Sequence, residues 1–253
     1  MFTRVIVPDS HGAHIDSKAA AAFLKDLKRL DPKEIVLLGD HLDCAGAFST
    51  HSMSYTKEIP ESYTSDVKAT NKFLDQIQKL APKAQYHYLE GNHEHRVERT
   101  ATNMFRHKSD ADGFLDAFGP EKVLELKKRG IKYYRRHEMY HGLASPGIIK
   151  LGKCHFMHGF SAAKHADAVH LARVGDNIVF GHIHRALSTV SRTVTREGYG
   201  AWCPGTLSKL HLLYSHTEPS TWSHGYAVQF VNPSGRFLHI NVPIIKGESL
   251  LHV

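Results

Sequence analysis

Five short polar clusters carry the residue types that bind metal ions and transfer protons. Each cluster contains an aspartate, asparagine or histidine beside a glycine or serine, and each follows an apolar segment. A single match means little, because a chain with 21 histidines should contain about one D-x-H by chance. The combination is informative. In chain order the clusters are D-S-H at 9–11, G-D-H-L-D at 39–43, G-N-H-E-H-R at 91–96, M-H-G at 157–159 and G-H-I-H-R at 181–185.

The chemistry of these side chains indicates a metal centre that acts on phosphate esters. Carboxylate, amide and imidazole ligands without cysteine suit Mn²⁺, Fe or Zn²⁺ better than a structural zinc site. In an extended chain His182 and His184 point the same way, so both could reach one centre. A carboxylate such as Asp40 could bridge two ions. Two ions about 3.5–4 Å apart can share a hydroxide nucleophile and hold the phosphoryl oxygens during an in-line displacement.

The first hundred residues alternate between strand and helix patterns. Strands are predicted at 2–7, 34–38 and 84–89, and helices at 17–30, at 65–80 and just after Gly91. Asp16 or Ser17 would cap the first helix. This order favours a sheet with parallel strands and helices on its faces. The first three polar clusters would then share the carboxyl edge of the sheet, where open α/β sheets bind their ligands.

The second half is dominated by short strands. They are predicted at 131–134, 147–151, 153–158, 177–181, 186–195, 226–231 and 236–242, with helix-like segments at 121–129 and 162–173. A second, mixed sheet packed on the first would accommodate them. The sequence contains no repeat and no low-complexity linker, so we predict a single domain over residues 1–253.

One long polar segment lacks a clear period. Residues 44–63 directly follow the second cluster, and loops of this length in compact domains are commonly functional or disordered. We predict a lid that faces the substrate; a surface excursion is the alternative.

The composition is that of a globular protein with an anionic partner. No apolar run approaches the roughly 20 residues of a membrane-spanning helix, and the N-terminus lacks a signal-peptide pattern, so we expect a cytoplasmic location without membrane insertion. The three cysteines form no C-x-x-C pair.

The formal charge of +7 favours an anionic partner. The basic stretch 127–136 is either a nucleic-acid surface or a solvated helix end, and the oligomeric state is open.

The five clusters resemble those of the calcineurin-like metallophosphoesterase superfamily, in the order in which the family has them, from residue 9 to residue 184. The general size is that of compact bacterial and phage members. The resemblance implies an α/β fold, a four-layer α/β/β/α sandwich of two mixed sheets flanked by helices. It also implies two divalent metal ions, for which Mn²⁺ is the first choice and Fe or Zn²⁺ the alternatives.

The resemblance also implies roles for particular residues of the clusters. Asp43 would orient His93, which would protonate the leaving oxygen or stabilise charge there; a turn or capping acid is the alternative for Asp43. One metal would be held by Asp9, His11, Asp40 and His184, and the other by Asp40, Asn92, His158 and His182.

The sequence departs from the phosphoprotein phosphatases of the superfamily at Cys44, where those enzymes have an arginine that grips phosphate. Arg96 and Arg185 could contact the substrate instead, because a guanidinium can bind two phosphate oxygens; either could equally be a surface ion-pair residue. The segment 199–226 is rich in aromatic residues that could stack nucleobases or simply pack in a sheet.

The favoured function is therefore a phosphodiesterase or nuclease that acts on a nucleotide or nucleic acid. The alternative is a small-molecule phosphomonoesterase or pyrophosphatase. A phosphoprotein phosphatase is disfavoured by Cys44. A catalytically dead scaffold is disfavoured because none of the seven candidate ligands is missing and His93 is present.

Overall fold

Two mixed β-sheets lie at the centre of the fold, and helices cover their outer faces. The computed structural model describes residues 1–44, 48, 62–137, 139–140, 143–144, 147–195, 198–211 and 221–251. Most of the segment predicted to be a lid lies outside these residues. The described part of the chain contains no helix long and apolar enough to cross a membrane.

The first sheet has seven strands in the order β14-β13-β12-β1-β2-β3-β4. Strands β1 to β4 are parallel to one another, whereas β12 runs antiparallel to β1 and continues into the antiparallel strands β13 and β14. Their bounds are β1 Phe2–Val7, β2 Glu34–Leu37, β3 Gln85–Leu89, β4 Ile131–Tyr134, β12 Gly225–Val231, β13 Phe237–Ile245 and β14 Glu248–Ser249.

The second sheet has five strands in the order β10-β11-β9-β8-β7. Strands β8, β9 and β11 are parallel, and β7 and β10 run antiparallel at the two edges. The bounds are β7 Ile149–Leu151, β8 Cys154–Met157, β9 Ile178–Phe180, β10 Ala186–Ser191 and β11 Tyr199–Pro204. A separate two-stranded ribbon pairs β5, Met139–Tyr140, with β6, Leu143–Ala144.

Six helices accompany the described strands. Asp16 caps α1 by accepting hydrogen bonds from the amides of Lys18 and Ala19. Ser62 caps α2 in a reciprocal capping box with Ser65. The bounds are α1 Ser17–Leu30, α2 Tyr63–Leu80, α3 His95–Met104, α4 Lys108–Phe118, α5 Pro120–Val123 and α6 Ala166–Val174.

Three apolar layers hold the sheets and helices together. In the first layer, Phe23 of α1 and Leu74 of α2 pack on the outer face of the first sheet. The second layer lies between the sheets, where Val36 of β2 meets Phe156 of β8. In the third, Leu171 of α6 packs on the outer face of the second sheet. Three layers between four sets of elements confirm the predicted α/β/β/α sandwich.

One helix prediction in the middle of the chain was wrong, and one helix was missed. The helix predicted at 121–129 ends at Val123, because Glu125 has a left-handed backbone (φ 50°) that a helix cannot accommodate. The basic residues after it therefore lie in turns, and Arg129 donates to Asp75 and to the carbonyl of Leu124. Helix α4 was missed, although its apolar residues Ala111, Phe114, Leu115 and Phe118 have the i, i+3, i+4, i+7 spacing of one helix face.

A buried charge connects the two sheets. The guanidinium of Arg4 in β1 is 2% exposed and donates to Glu34 over 2.6 Å and to Gln229 over 2.8 Å. It also lies 5.2 Å from the ring centre of Phe156 in the second sheet. A charge in such a place is tolerated only while its partners remain.

We expect Glu34→Ala to lower the free energy of unfolding by about 3 kcal/mol, because it leaves the Arg4 charge buried without its carboxylate. Urea denaturation measures the change, and the double variant Arg4→Met/Glu34→Ala should recover most of it. Asp116→Ala is the control, since it breaks an exposed ion pair to Lys122. Equal losses in Glu34→Ala and Asp116→Ala would contradict the expectation.

Candidate metal centre

The five polar clusters all follow the carboxyl ends of parallel strands. Those that begin with Asp9, Asp40 and Asn92 follow β1, β2 and β3, which are neighbours in the first sheet. Those with His158 and His182 follow β8 and β9, which are neighbours in the second sheet. The two sheets therefore present their clusters at one common edge.

The first group of candidate ligands consists of Asp9, His11 and His184, all buried. Nε2 of His11 lies 3.0 Å from Nε2 of His184, which lies 3.1 Å from Oδ2 of Asp9. The backbone amide of His182 donates to Asp9, so the turn after β9 is tied to the end of β1.

The second group consists of Asp40, His158 and His182, with Asn92 beside them. Nε2 of His158 lies 3.2 Å from Oδ2 of Asp40 and 2.9 Å from Oδ1 of Asn92. The rings of His158 and His182 meet edge to face at 5.1 Å. Nδ1 of His158 donates to the carbonyl of Leu38, which leaves Nε2 directed at the group.

Both groups fit divalent ions. Two ligand atoms at about 2.1 Å from one ion and at right angles lie about 3 Å apart, which is the spacing within each group. Nε2 of His11 and Nε2 of His184 can share only one proton. Among the described residues, Nδ1 of His184 has no hydrogen-bond partner although it is buried. The structure places Asp40 in the second group; its predicted role as a bridge between two ions stays a prediction.

Burial and neighbouring charges set the protonation of the imidazoles. Burial lowers the pKa of His11 to about 4, with His93 acting in the same direction. Burial likewise lowers the pKa of His182 to about 4, assisted by His158. Burial opposes charge on His158, but the Asp40 carboxylate raises its pKa to about 9. Neutral imidazole is the form that binds metals, so an ion at the second group would displace the proton between His158 and Asp40.

His93 is held at the centre by two aspartates, Asp40 and Asp43. Its amide donates to Oδ1 of Asp40. Its Nδ1 lies 2.8 Å from the carbonyl oxygen of Asp43 and 3.2 Å from Oδ1 of Asp43. Oδ1 of Asp43 also lies 2.8 Å from Nδ1 of His11, so one carboxylate orients both imidazoles. Burial disfavours charge on His93, yet Asp40 and Asp43 raise its pKa.

The two predicted substrate-binding arginines differ in position. Arg96 is buried, and its Nη2 lies 2.9 Å from Nε2 of His93 while its Nη1 donates to the carbonyl of Asp43. Arg185 is half-buried and donates to the carbonyls of Ala162 and Ala163. Arg96 thus lies against His93, whereas the guanidinium of Arg185 rests on the loop after β8.

Two more residues come close to the centre. Nη1 of Arg136 lies 3.4 Å from the carbonyl of Gly159, directly after His158. The ring of Trp222 meets that of His184 at 4.2 Å. From the sequence, Arg136 was noted only as part of the basic stretch 127–136 and Trp222 only as part of the aromatic segment 199–226. No local pattern predicted that either residue lies near the clusters.

Glu94 supports the centre and was not predicted to have a role, although it stands in the third cluster. Its carboxylate is fully buried and accepts hydrogen bonds from the amides of Asp40, His41, Leu42 and Gly91 and from the hydroxyl of Tyr88. Burial and Asp40 raise its pKa to about 7. The carboxylate therefore holds the turn after β2 against the turn after β3.

A second buried carboxylate has a similar role in helix α2. Asp66 accepts hydrogen bonds from the amides of Ala13 and Cys44, which follow His11 and Asp43 in the chain. Burial and the charge of Asp43 raise the pKa of Asp66 to about 7. The sequence offered no signal for this contact, because Asp66 looks like an acid in the first turn of a helix.

The backbone at the centre is strained. Among the candidate ligands, φ is positive at His11 (50°), Asp40 (48°), His182 (72°) and His184 (56°). Such values are uncommon for residues with a side chain and cost of order 1–3 kcal/mol each. They turn the chain sharply at the strand ends, so that the side chains face the centre.

Comparison with known proteins agrees with this arrangement. Residues 2–186 match the family model described as calcineurin-like phosphoesterase. The chain belongs to the calcineurin-like phosphoesterase family. No curated protein sequence matches the chain.

Similar solved structures include Vacuolar Protein Sorting 29 from Cryptosporidium parvum, with 9% identity, a TM-score of 0.48 and coverage of 98% of this chain and 95% of that one. A hypothetical protein from Pyrococcus horikoshii has 12% identity, a TM-score of 0.48 and coverage of 97% and 90%. The phosphoesterase Yfce from E. coli has 15% identity, a TM-score of 0.36 and coverage of 94% and 98%. Sequence identities and TM-scores this low give no information about the substrate of this chain.

We expect Glu94→Gln to lower the free energy of unfolding by about 2 kcal/mol, because an amide nitrogen would face backbone amides that now have an acceptor. Urea denaturation of the metal-free protein measures the loss. Glu98→Gln in the same stretch is the control, since the Glu98 side chain is 31% exposed and accepts from none of those amides. Equal stability of Glu94→Gln and wild type would contradict the anchoring role.

Proposed function

We propose that the chain is a dinuclear metal-dependent phosphoesterase that hydrolyses a phosphodiester of a nucleotide or nucleic acid. The observation that carries the proposal is the convergence of two ligand groups at one edge, with His93 beside both. Oδ2 of Asp40 in the second group lies 3.9 Å from Nε2 of His93, and the ring of His11 in the first lies 4.6 Å from that of His93.

The family resemblance and the two groups support the same assignment of ligands. When bound, two divalent ions would activate water as a nucleophile and neutralise charge on the phosphoryl oxygens. We propose Mn²⁺, with Fe or Zn²⁺ as alternatives, because the donors are carboxylate, amide and imidazole. The two sets of ligands are Asp9, His11, Asp40 and His184, and Asp40, Asn92, His158 and His182.

His93 would act as the acid that protonates the leaving oxygen. The carboxylates of Asp40 and Asp43 raise its pKa, which favours the protonated imidazole. In the structure Nε2 of His93 faces Arg96 over 2.9 Å. A guanidinium only donates, so Nε2 accepts from Arg96 in this arrangement. Delivery of a proton from Nε2 therefore requires the guanidinium to turn away, toward a bound phosphate, and Nε2 to take up a proton. Asp43 orients the ring through Nδ1.

The surroundings of the centre favour a nucleotide-like diester. Trp222 beside His184 offers an aromatic face on which a base could stack. Arg136 and Arg185, whose guanidinium groups both contact the loop after β8, offer cations for neighbouring phosphates. The formal charge of +7 also favours binding of an anionic substrate. A single domain over residues 1–253, a nucleic-acid partner and a cytoplasmic location belong to this proposal.

We expect His93→Ala and Asp40→Asn each to lower turnover at least about 10²-fold, because one loses the proton donor and the other a ligand and the anchor of His93. Steady-state kinetics with added Mn²⁺ measure the effect, and circular dichroism checks the fold. His107→Ala is the control, since His107 is exposed at the start of α4. Wild-type turnover in either variant would overturn the mechanism.

A substrate panel separates the proposal from its alternative. Bis-nitrophenyl phosphate, nitrophenyl phosphate and a labelled single-stranded oligonucleotide are incubated with Mn²⁺, and in parallel with a chelator. We expect cleavage of the diester and the oligonucleotide that chelator abolishes. Strong monoester hydrolysis with an intact oligonucleotide would instead identify a small-molecule phosphomonoesterase. No hydrolysis of any substrate would contradict both.

A further inference from the structure

We propose that Glu90, His95 and Glu98 form an accessory binding site for one divalent transition-metal ion, separate from the seven candidate ligands of the phosphoesterase centre. Each offers one donor atom, and these atoms lie within 4.8 Å of one another. Glu90 follows β3, and His95 and Glu98 lie on one face of the first turn of α3. The site therefore spans the turn that carries Asn92 and His93.

The distances match those of ligands around one ion. Nδ1 of His95 lies 3.3 Å from Oε2 of Glu98 and 3.9 Å from Oε2 of Glu90. Two donors at about 2.1 Å from an ion are separated by about 3 Å at right angles and by about 4.2 Å when opposite. Both measured distances fall in this interval. Nδ1 of His95 is buried and faces these two carboxylates.

The opposite nitrogen of His95 is arranged as in metal-binding histidines. Nε2 of His95 lies 3.1 Å from Nε2 of His137. One of these nitrogens must donate and the other accept. If Nε2 of His95 donates, its Nδ1 is a bare acceptor that faces two carboxylates, which is the tautomer that binds a cation. A metal-ligating imidazole commonly donates its other N–H in this way.

Two hydrogen-bond donors fix the position of the Glu90 carboxylate. Its Oε1 accepts a hydrogen bond from the hydroxyl of Tyr133 over 2.9 Å, and its Oε2 accepts from the amide of Arg136 over 2.7 Å. Its side chain is only 4% exposed. A buried carboxylate with two neutral donors still lacks a cation.

The neighbouring lysine and arginine are engaged elsewhere. Arg135 pairs with Glu121 over 3.1 Å, and Lys122 pairs with Asp116 over 2.9 Å. Among the described residues, no lysine or arginine side chain forms an ion pair with Glu90 or Glu98. A cavity of about 60 Å³ opens beside both carboxylates, which is room for an ion with its water ligands.

One imidazole and two carboxylates suit Zn²⁺ or Mn²⁺ better than Ca²⁺ or Mg²⁺, which prefer oxygen alone. An ion at this site would connect Glu90 with His95 and so tie together the two ends of the turn 91–94. Within that turn lie Asn92, His93 and the anchoring Glu94. The accessory site would thus stiffen the part of the chain that presents the second ligand group.

The experiment counts Zn²⁺ ions bound per chain. Metal-free protein is loaded with Zn²⁺ alone, desalted and analysed by atomic emission, and affinities are measured by calorimetry. We expect three equivalents in wild type and two in Glu98→Gln, with an affinity at the lost site at least about 10-fold weaker. Glu121→Gln is the matched control, because Glu121 lines the same cavity and the change in charge is identical. It should keep three.

Two further variants keep the outcome decisive. His95→Gln must lose the same equivalent, which decides the matter if Glu98→Gln fails to fold. In the double variant His11→Ala/His158→Ala, which removes a ligand from each main group, one equivalent should remain and should vanish when Glu98→Gln is added. The experiment counts bound Zn²⁺ ions and does not measure hydrolysis. An inactive protein that still binds Zn²⁺ at the accessory site would therefore contradict only the proposed function. The same equivalents and affinities in Glu98→Gln and Glu121→Gln would overturn the accessory site.

Discussion

The carboxylate of Glu94 accepts hydrogen bonds from the backbone of two loops, and the position of the candidate centre depends on them. It holds the amides of Asp40 and Leu42 in one loop and that of Gly91 in the other. The loops approach so closely that a Cβ on Gly91 would lie 2.3 Å from the amide nitrogen of Asp40. Asp40 in turn accepts from the amide of His93. One buried acid therefore sets the spacing between a ligand and the proposed acid catalyst.

The centre combines strained backbone with concentrated charge, and the surrounding layers make this combination stable. Left-handed residues at the ends of β1, β2 and β9 are held by bonds to other strand ends, such as that from His11 to the carbonyl of Asp40. The apolar layers above and below leave the chain no alternative packing that would relax these turns. A cation at either ligand group would further offset the repulsion between Asp9 and Asp40. A sheet edge with only a structural role would need neither strained backbone nor concentrated charge.

The turn after β3 has charged groups on both sides. Its inner side carries Asn92 and His93 toward the centre, and its outer side carries His95 toward Glu90 and Glu98. The segment after β4 contacts both sides, since the amide of Arg136 binds Glu90 while its guanidinium reaches the carbonyl of Gly159. This short turn and the segment after β4 therefore connect the candidate ligands of the centre with Glu90, His95 and Glu98.

The sequence by itself determined the strands β1 to β3, the helices α1 and α2, and the order of the five clusters, because apolar periodicity and caps are properties of neighbouring residues. It also allowed the family to be recognised. Helix α4 was missed although its apolar residues have helical spacing, and the sequence could not end the next helix at Val123, where the left-handed backbone of Glu125 decides. Only the tertiary structure brought Asp66, Arg136 and Trp222 to the centre, since contacts across tens of residues depend on how the layers pack. It alone decided which nitrogen of each histidine faces a partner, because that choice follows from the neighbours on every side of the ring.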